Sequence, residues 1–237
     1  MSKLRALFLV VGTIILIFPT TVFALNYPQS SVGQDVSWPN CNIKDVPVNT
    51  FGIVGVNGGL SFHPNHCLGY EAAQYRRNLS LYVNTGFPGS PYDSKFMSLP
   101  LECGSVDVNC LAYNYGYNAG KYAVNYSLSQ GVVSNSWWLD VESINSWSDN
   151  TQVNRSSISG EIQAIKDSLK PSLIGFYGFP AGWSLLTSNW HLQYPDWVAT
   201  NSNFKNVAVQ ACKQQGFSSP NVILTQYIGK TDLDLAC

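Results

Sequence analysis

Residues 137–142 read Trp-Trp-Leu-Asp-Val-Glu. In an extended strand successive side chains point to opposite faces, so Trp138, Asp140 and Glu142 share one face and Trp137, Leu139 and Val141 share the other. That division suits a strand of a parallel barrel. Its outer side packs on helices, and its C-terminal end opens at the mouth where barrel enzymes carry their chemistry. Two carboxylates on neighbouring inward positions repel, which raises the proton affinity of one and lets it stay protonated as a general acid. The other reading, a solvated strand end, leaves two carboxylates without function on a tryptophan-rich strand, where desolvation is costly.

The flanking sequence repeats the pattern. Strands are predicted at 33–37, 51–57, 80–84, 137–142, 173–177, 197–200 and 223–228, with a short eighth at 231–235. Helices are predicted at 70–78, 112–130, 156–169 and 183–188, while 206–213 fits either a helix or a strand. Repeated βα units place the chain in the α/β class and require a mainly parallel sheet with helices outside it, open or closed. Seven or eight strands in 237 residues fit a closed, TIM-like (β/α) barrel, slightly smaller than the usual ~250 residues. The first strand is followed by Trp38-Pro39-Asn40-Cys41 and not by a glycine-rich phosphate loop, so no nucleotide cofactor is implied.

Lys3 and Arg5 precede an apolar run from Ala6 to Phe18 that ends in Val22-Phe23-Ala24, the pattern of a secretory signal peptide over residues 1–24. The run is short for a bilayer span, and an uncleaved N-terminal anchor is the alternative. Residues 25–237 then form one barrel domain, expected to be a secreted monomer with no stable membrane insertion. Its 11 basic and 14 acidic residues give a net charge of −3, which provides no polyanion-binding surface and argues against nucleic acid as a partner. All six cysteines follow the signal. Sequence neighbourhood pairs Cys41 with Cys67, Cys103 with Cys110 and Cys212 with Cys237, out of 15 possible connectivities. Sequons at Asn78, Asn125 and Asn154 are about as many as composition alone produces.

Further acidic residues fall at strand ends. Asp35 lies on the first strand, and Asp232 and Asp234 lie on the last. Barrel closure makes those strands neighbours, which would bring Asp35 and Asp232 to the mouth beside Asp140 and Glu142; each could equally cap a loop. Trp38, Trp138, Trp147 and Tyr177 sit at or just after strand ends, where aromatic rings either stack on the apolar faces of sugars or fill the core. His63 and His66 suggest a metal site, but zinc needs three or four ligands and the adjacent Cys67 is better used in a disulfide, so no metal is implied. His191, alone beside Trp190, reads as structural.

The chain resembles the glycoside hydrolase family 25 lysozymes (N-acetylmuramidases), and more closely a disulfide-containing secreted subgroup related to them. The resemblance rests on Gly-Gln-Asp-Val-Ser-Trp at 33–38, Trp-Trp-Leu-Asp-Val-Glu at 137–142, Gly-Phe-Tyr-Gly-Phe at 175–179, and Gln-Tyr at 226–227 followed by Thr-Asp-Leu-Asp at 231–234. These matches run in order across nearly the whole chain after residue 24. The resemblance implies a family 25 type barrel that cleaves a β-1,4 bond beside an N-acetylated sugar of peptidoglycan or a related cell-wall polysaccharide. It assigns Glu142 as general acid, Asp140 to the substrate's acetamido group, and Asp35 and Asp232 as the remaining carboxylates. Pro39-Asn40-Cys41, the stretch Phe-His-Pro-Asn-His-Cys at 62–67 and the six cysteines depart from the simple muramidases and point to a remodelled rim. Two other functions compete with hydrolysis. A non-catalytic carbohydrate-binding or cell-surface barrel would leave Glu142 apart from the other acids, and an inhibitor or toxin would expose an apolar patch away from the mouth.

Overall fold

The computed structural model describes residues 27–41, 50–75, 78–89 and 97–237; the signal peptide expected at 1–24 lies outside them. Among the described residues eight strands close into a barrel in chain order. They are β1 (Val32–Val36), β2 (Gly52–Gly55), β3 (Leu79–Asn84), β4 (Ser136–Asp140), β5 (Leu173–Gly178), β6 (Asp196–Ala199), β7 (Val222–Ile228) and β8 (Asp232–Ala236). Neighbours from β1 to β7 run parallel. The last strand departs from the expected βα repeat, because β8 is antiparallel to both β7 and β1. Only Gly229, Lys230 and Thr231 separate it from β7, and so short a link permits a hairpin but not a crossover. The reversal puts the N-terminal end of β8, with Asp232, at the rim formed by the C-terminal ends of the other strands.

The helices are α1 (Leu68–Ala72), α2 (Val108–Ser129), α3 (Thr151–Leu169), α4 (Pro180–Thr187) and α5 (Lys205–Ala211). The helix expected at 70–78 starts earlier, at Leu68, and tightens to a 3₁₀ turn over 73–75. The ambiguous segment at 206–213 is helical as α5. Two helices begin a turn or more before their predicted starts because side chains cap them there. The Asp107 carboxylate accepts the Cys110 N–H at 3.1 Å, and Asn150 Oδ1 accepts the Gln152 N–H at 2.9 Å. Pro180 at the first turn of α4 likewise starts that helix ahead of the expected Trp183.

Strand parity sorts the core. Trp137, Leu139 and Val141 pack outward with Val54, Leu81 and Phe176 against Ile158, Ile162 and Ile165 of α3. Trp138, Trp197, Phe51, Ile53 and Leu224 fill the barrel interior, and Tyr27 packs with them. The indole N–H of Trp138 donates to Tyr27 Oη at 2.8 Å, and that hydroxyl also meets Ser80 Oγ. Asn154, one of the three sequon residues, is buried, with Nδ2 donating to the carbonyls of Ser148 and Leu186, so its amide is committed inside the fold.

The helices α2 and α3 meet backbone to backbone. A β-carbon on Gly116 would lie 1.9 Å from the Ser157 carbonyl oxygen, and one on Gly160 would lie 2.0 Å from that of Tyr113. Because the obstacle is backbone, no rotamer relieves it. Gly116→Ala is expected to lower unfolding stability by about 3 kcal/mol, read as a reduced urea midpoint with unchanged secondary structure.

Candidate active site

A cavity of about 220 Å³ opens at the C-terminal ends of the parallel strands. Asp35 and Trp38 reach it from β1 and the turn that follows, Tyr82 and Asn84 from β3, Asp140 and Glu142 from β4 and its end. Tyr177 from β5, Trp197 from β6, Gln226 from β7 and Asp232 from β8 complete its wall. All four carboxylates singled out in the sequence therefore line one cavity. A second chamber of about 230 Å³ adjoins it through Gly59 and Asn84 and is walled by Leu60, Phe62, Pro88 and Tyr115. A larger cleft, about 720 Å³, lies at the opposite end of the barrel around Leu173, Val222 and Ile223, and no acidic residue lines it.

The four aromatic candidates separate. Trp38, 53 % exposed, and Tyr177 line the mouth. Trp138 does not: it sits two residues below Asp140 on the same face, one layer deeper, and its ring is sealed in the interior. Trp147 does not either. Its ring packs against the layer between helices and barrel, and its Nε1–H donates to the Glu142 carbonyl at 2.7 Å, which fixes the turn carrying that residue. The metal candidates also part, since Cys67 is bonded to Cys41 and His63 Nδ1 lies 3.1 Å from the Ser61 carbonyl. Among the described residues no group of three or more histidine, cysteine, aspartate or glutamate side chains could hold a metal ion.

Two amides hold the acids in place: Asn84, which no sequence motif marks, and Gln226, which belongs to the Gln-Tyr pair but has no role assigned by it. Asn84 Nδ2 donates to Asp140 Oδ2 at 2.5 Å, and the Asn84 N–H is taken by Asn57 Oδ1 at 2.8 Å. Asp140 Oδ1 is buried and takes no hydrogen bond among the described residues, while Asn145, whose Nδ2 donates to the Asp140 carbonyl at 3.1 Å, lowers the proton affinity of the carboxyl. Asp35 Oδ2 accepts from Gln226 Nε2 at 2.8 Å, and Gln226 Oε1 accepts the Tyr177 hydroxyl at 2.8 Å. The signal for both amides was positional: each is a polar residue on an inward-facing position near the C-terminal end of its strand.

Burial and mutual repulsion act together on the acids. Among the described residues lining the mouth there is no lysine, arginine or histidine. Burial, followed by the charge of Asp232, pushes Asp35 up to about 7. Burial and then Glu142 push Asp140 well above the usual carboxylate range. Glu142 is raised by burial and then by Asp232, and Asp232 by burial. Such a cluster retains protons where isolated carboxylates have lost theirs, which is the condition for a general acid.

The rim is stapled. The disulfides are Cys41–Cys67, Cys103–Cys110 and Cys212–Cys237, as sequence neighbourhood suggested. The first ties the segment after Trp38 to the start of α1, while Trp38 itself lies against the turn at Gly58 and Gly59. Replacing both Cys41 and Cys67 by serine frees a loop of sequence separation 26 and is expected to cost about 3.5 kcal/mol by loop entropy. Urea unfolding without reductant reads it.

Solved structures share this architecture. A glycosyl hydrolase 25 of Streptococcus pneumoniae, described as a virulence factor participating in host cell invasion, is similar over 86% of this chain and 85% of its own, with TM-score 0.54 and 14% identity. A muramidase from Trichobolus zukalii is similar over 87% and 93%, with TM-score 0.55 and 14% identity. The Clostridium perfringens spore cortex lytic enzyme SleM is similar over 89% of this chain and 68% of its own, with TM-score 0.58 and 13% identity. No family model matches the sequence, and no curated protein matches it. The chain thus has the barrel fold of the family 25 glycosyl hydrolases, here with three disulfides.

Proposed function

We propose that the protein is a secreted glycoside hydrolase that cleaves β-1,4 bonds in peptidoglycan or a related N-acetylated cell-wall glycan. The observation that carries this reading is the convergence of Asp35, Asp140, Glu142 and Asp232 on one uncompensated acidic cavity, with Trp38 and Tyr177 beside them. Glu142, raised by burial and by Asp232, serves as the general acid: its proton passes to the glycosidic oxygen as the C1–O bond breaks. Asp140 orients the acetamido group on the sugar that keeps C1. Its Oδ1, buried and without a hydrogen bond among the described residues, is the acceptor for the amide N–H, and Asn84 holds the other oxygen. With that N–H engaged, the acetamido oxygen attacks C1 as the leaving oxygen is protonated. Water then opens the cyclic intermediate, giving one proton back to Glu142. Asp35 and Asp232 set the field in which these protons move. Export of the mature chain accords with three disulfides, and no helix among the described residues is long and apolar enough to cross a membrane.

A barrel that only binds glycan is expected to hold Glu142 away from the other acids, whereas here it lines their cavity. Glu142→Gln keeps the shape and removes the proton. It is expected to lower the release of new reducing ends from purified peptidoglycan by about 10²–10⁴-fold while leaving glycan binding intact. Equal release by wild type and variant would refute the assignment of Glu142.

A further inference from the structure

Among the described residues five carboxylates face the upper barrel interior, and the hydrolase reading uses four. The fifth is Asp234. It is fully buried on β8, opposite Gly33 of β1 in the antiparallel register and on the same face as Asp232. Trp197 Nε1–H donates to its Oδ1 at 2.8 Å, and its Oδ2 has no donor among the described residues. Asp35 is the next inward residue of β1 after Gly33 and so the diagonal neighbour of Asp234 across the β1–β8 pair, and a hydrogen-bonding interaction from Asp35 is among the causes that raise its proton affinity. Two carboxyl groups can be hydrogen-bonded to each other only with a proton between them, since ionised carboxylates are acceptors alone.

The surroundings show where that proton belongs. The groups whose titration is linked electrostatically to Asp234 are Asp35 from β1, Asp232 from β8, Tyr177 from β5, Tyr227 from β7, and Tyr27 and Tyr75. Asp35 is coupled by charge to Glu142, Asp140 and Tyr82 as well. None of these groups is cationic, so repulsion between Asp35 and Asp234 is relieved by protonation. Asp35 already takes a neutral donor, Gln226 Nε2, and borders the open mouth; Asp234 is deeper and its Oδ1 is engaged as an acceptor, which leaves Oδ2 as the O–H.

We propose that Asp234 is a positioning residue for Asp35: it keeps a proton at neutral pH, donates it through Oδ2 to Asp35, and so holds Asp35 as an oriented carboxylate at the floor of the mouth. Burial, then the charge of Asp35, raises its proton affinity well above the usual range, in the direction this requires. Only the catalytic consequence rests on the hydrolase reading; the proton is a property of the folded chain.

Two measurements on the intact protein do not depend on activity. Infrared difference spectroscopy at pH 8, above the value of about 7 to which Asp35 is raised, reads the C=O stretch of protonated carboxyl groups in wild type, Asp234→Asn and Asp35→Asn. Asp234→Asn is expected to lose one such band that Asp35→Asn retains; the reverse pattern, or no band lost in Asp234→Asn, overturns the proposal. The second is thermal unfolding from pH 5 to pH 8. A carboxyl whose folded-state proton affinity is raised stabilises the fold at low pH and loses that contribution as pH rises. Asparagine at 234 removes the loss, so the melting temperature of Asp234→Asn relative to wild type should climb across this range; a difference that does not change with pH contradicts the proposal. Asn Nδ2 can replace the lost O–H donor to Asp35. In hydrolysis Asp234→Asn should therefore cost only a few-fold in kcat/KM and move the alkaline limb upward, whereas Asp234→Leu should cost about a hundredfold at every pH. Expected infrared and melting results without hydrolysis by wild type would refute the hydrolase reading and leave the paired proton standing.

Discussion

The mouth exists because two tryptophans fill the barrel beneath it. Trp138 and Trp197 meet edge to face with ring centroids 5.7 Å apart, both almost wholly buried. Gly175 makes room for them, since a β-carbon there would lie 2.3 Å from the Trp138 ring. A pair of this size carries several kcal/mol of apolar burial. Each indole also has its N–H satisfied, one by Tyr27 and one by Asp234. The plug closes the barrel below the acids, so they meet water from one side only. Burial is accordingly the first cause of the raised proton affinity at Asp35, Asp140 and Glu142.

This arrangement sets stability against function. Carboxylates gathered without a cation destabilise the folded state when ionised, and the barrel tolerates them because its two apolar layers supply the compensating burial. Neutral groups take the place of counter-ions. Asn84 and Gln226 donate to Asp140 and Asp35 without supplying positive charge, so the acids are fixed in orientation while their affinity for protons stays high. Arginine at either position would orient them as well but would drive them to ionise.

Much of this was legible in the chain. The alternation in residues 137–142 is enough to separate the helix-facing side of β4 from its mouth-facing acids, because the period of a strand is two whatever surrounds it. Closure then makes Asp35 and Asp232 neighbours of that site. The depth of a residue within the barrel was not legible: Trp138 and Asp140 share a face, and only the stagger of the strands puts one in the plug and the other at the mouth. The start of α3 was obscured by Thr-Gln-Val-Asn at 151–154, which has weak helix propensity and is helical because Asn150 caps it. The direction of β8 was written in a three-residue link that could not carry a crossover. The roles of the amides at 84 and 226 were not legible, the second even within the Gln-Tyr pair, because neutral side chains do not stand out until the acids they serve are placed.

On the proposed function the acidic mouth hydrolyses a glycan at an N-acetylated sugar. Mass spectrometry of the soluble fragments released from purified peptidoglycan in H₂¹⁸O tests it most directly. Hydrolysis through the acetamido group is expected to give fragments that each carry one ¹⁸O, located on C1 of an N-acetylated reducing-end sugar. Fragments without the label, or intact glycan that stays bound to the protein, would contradict it.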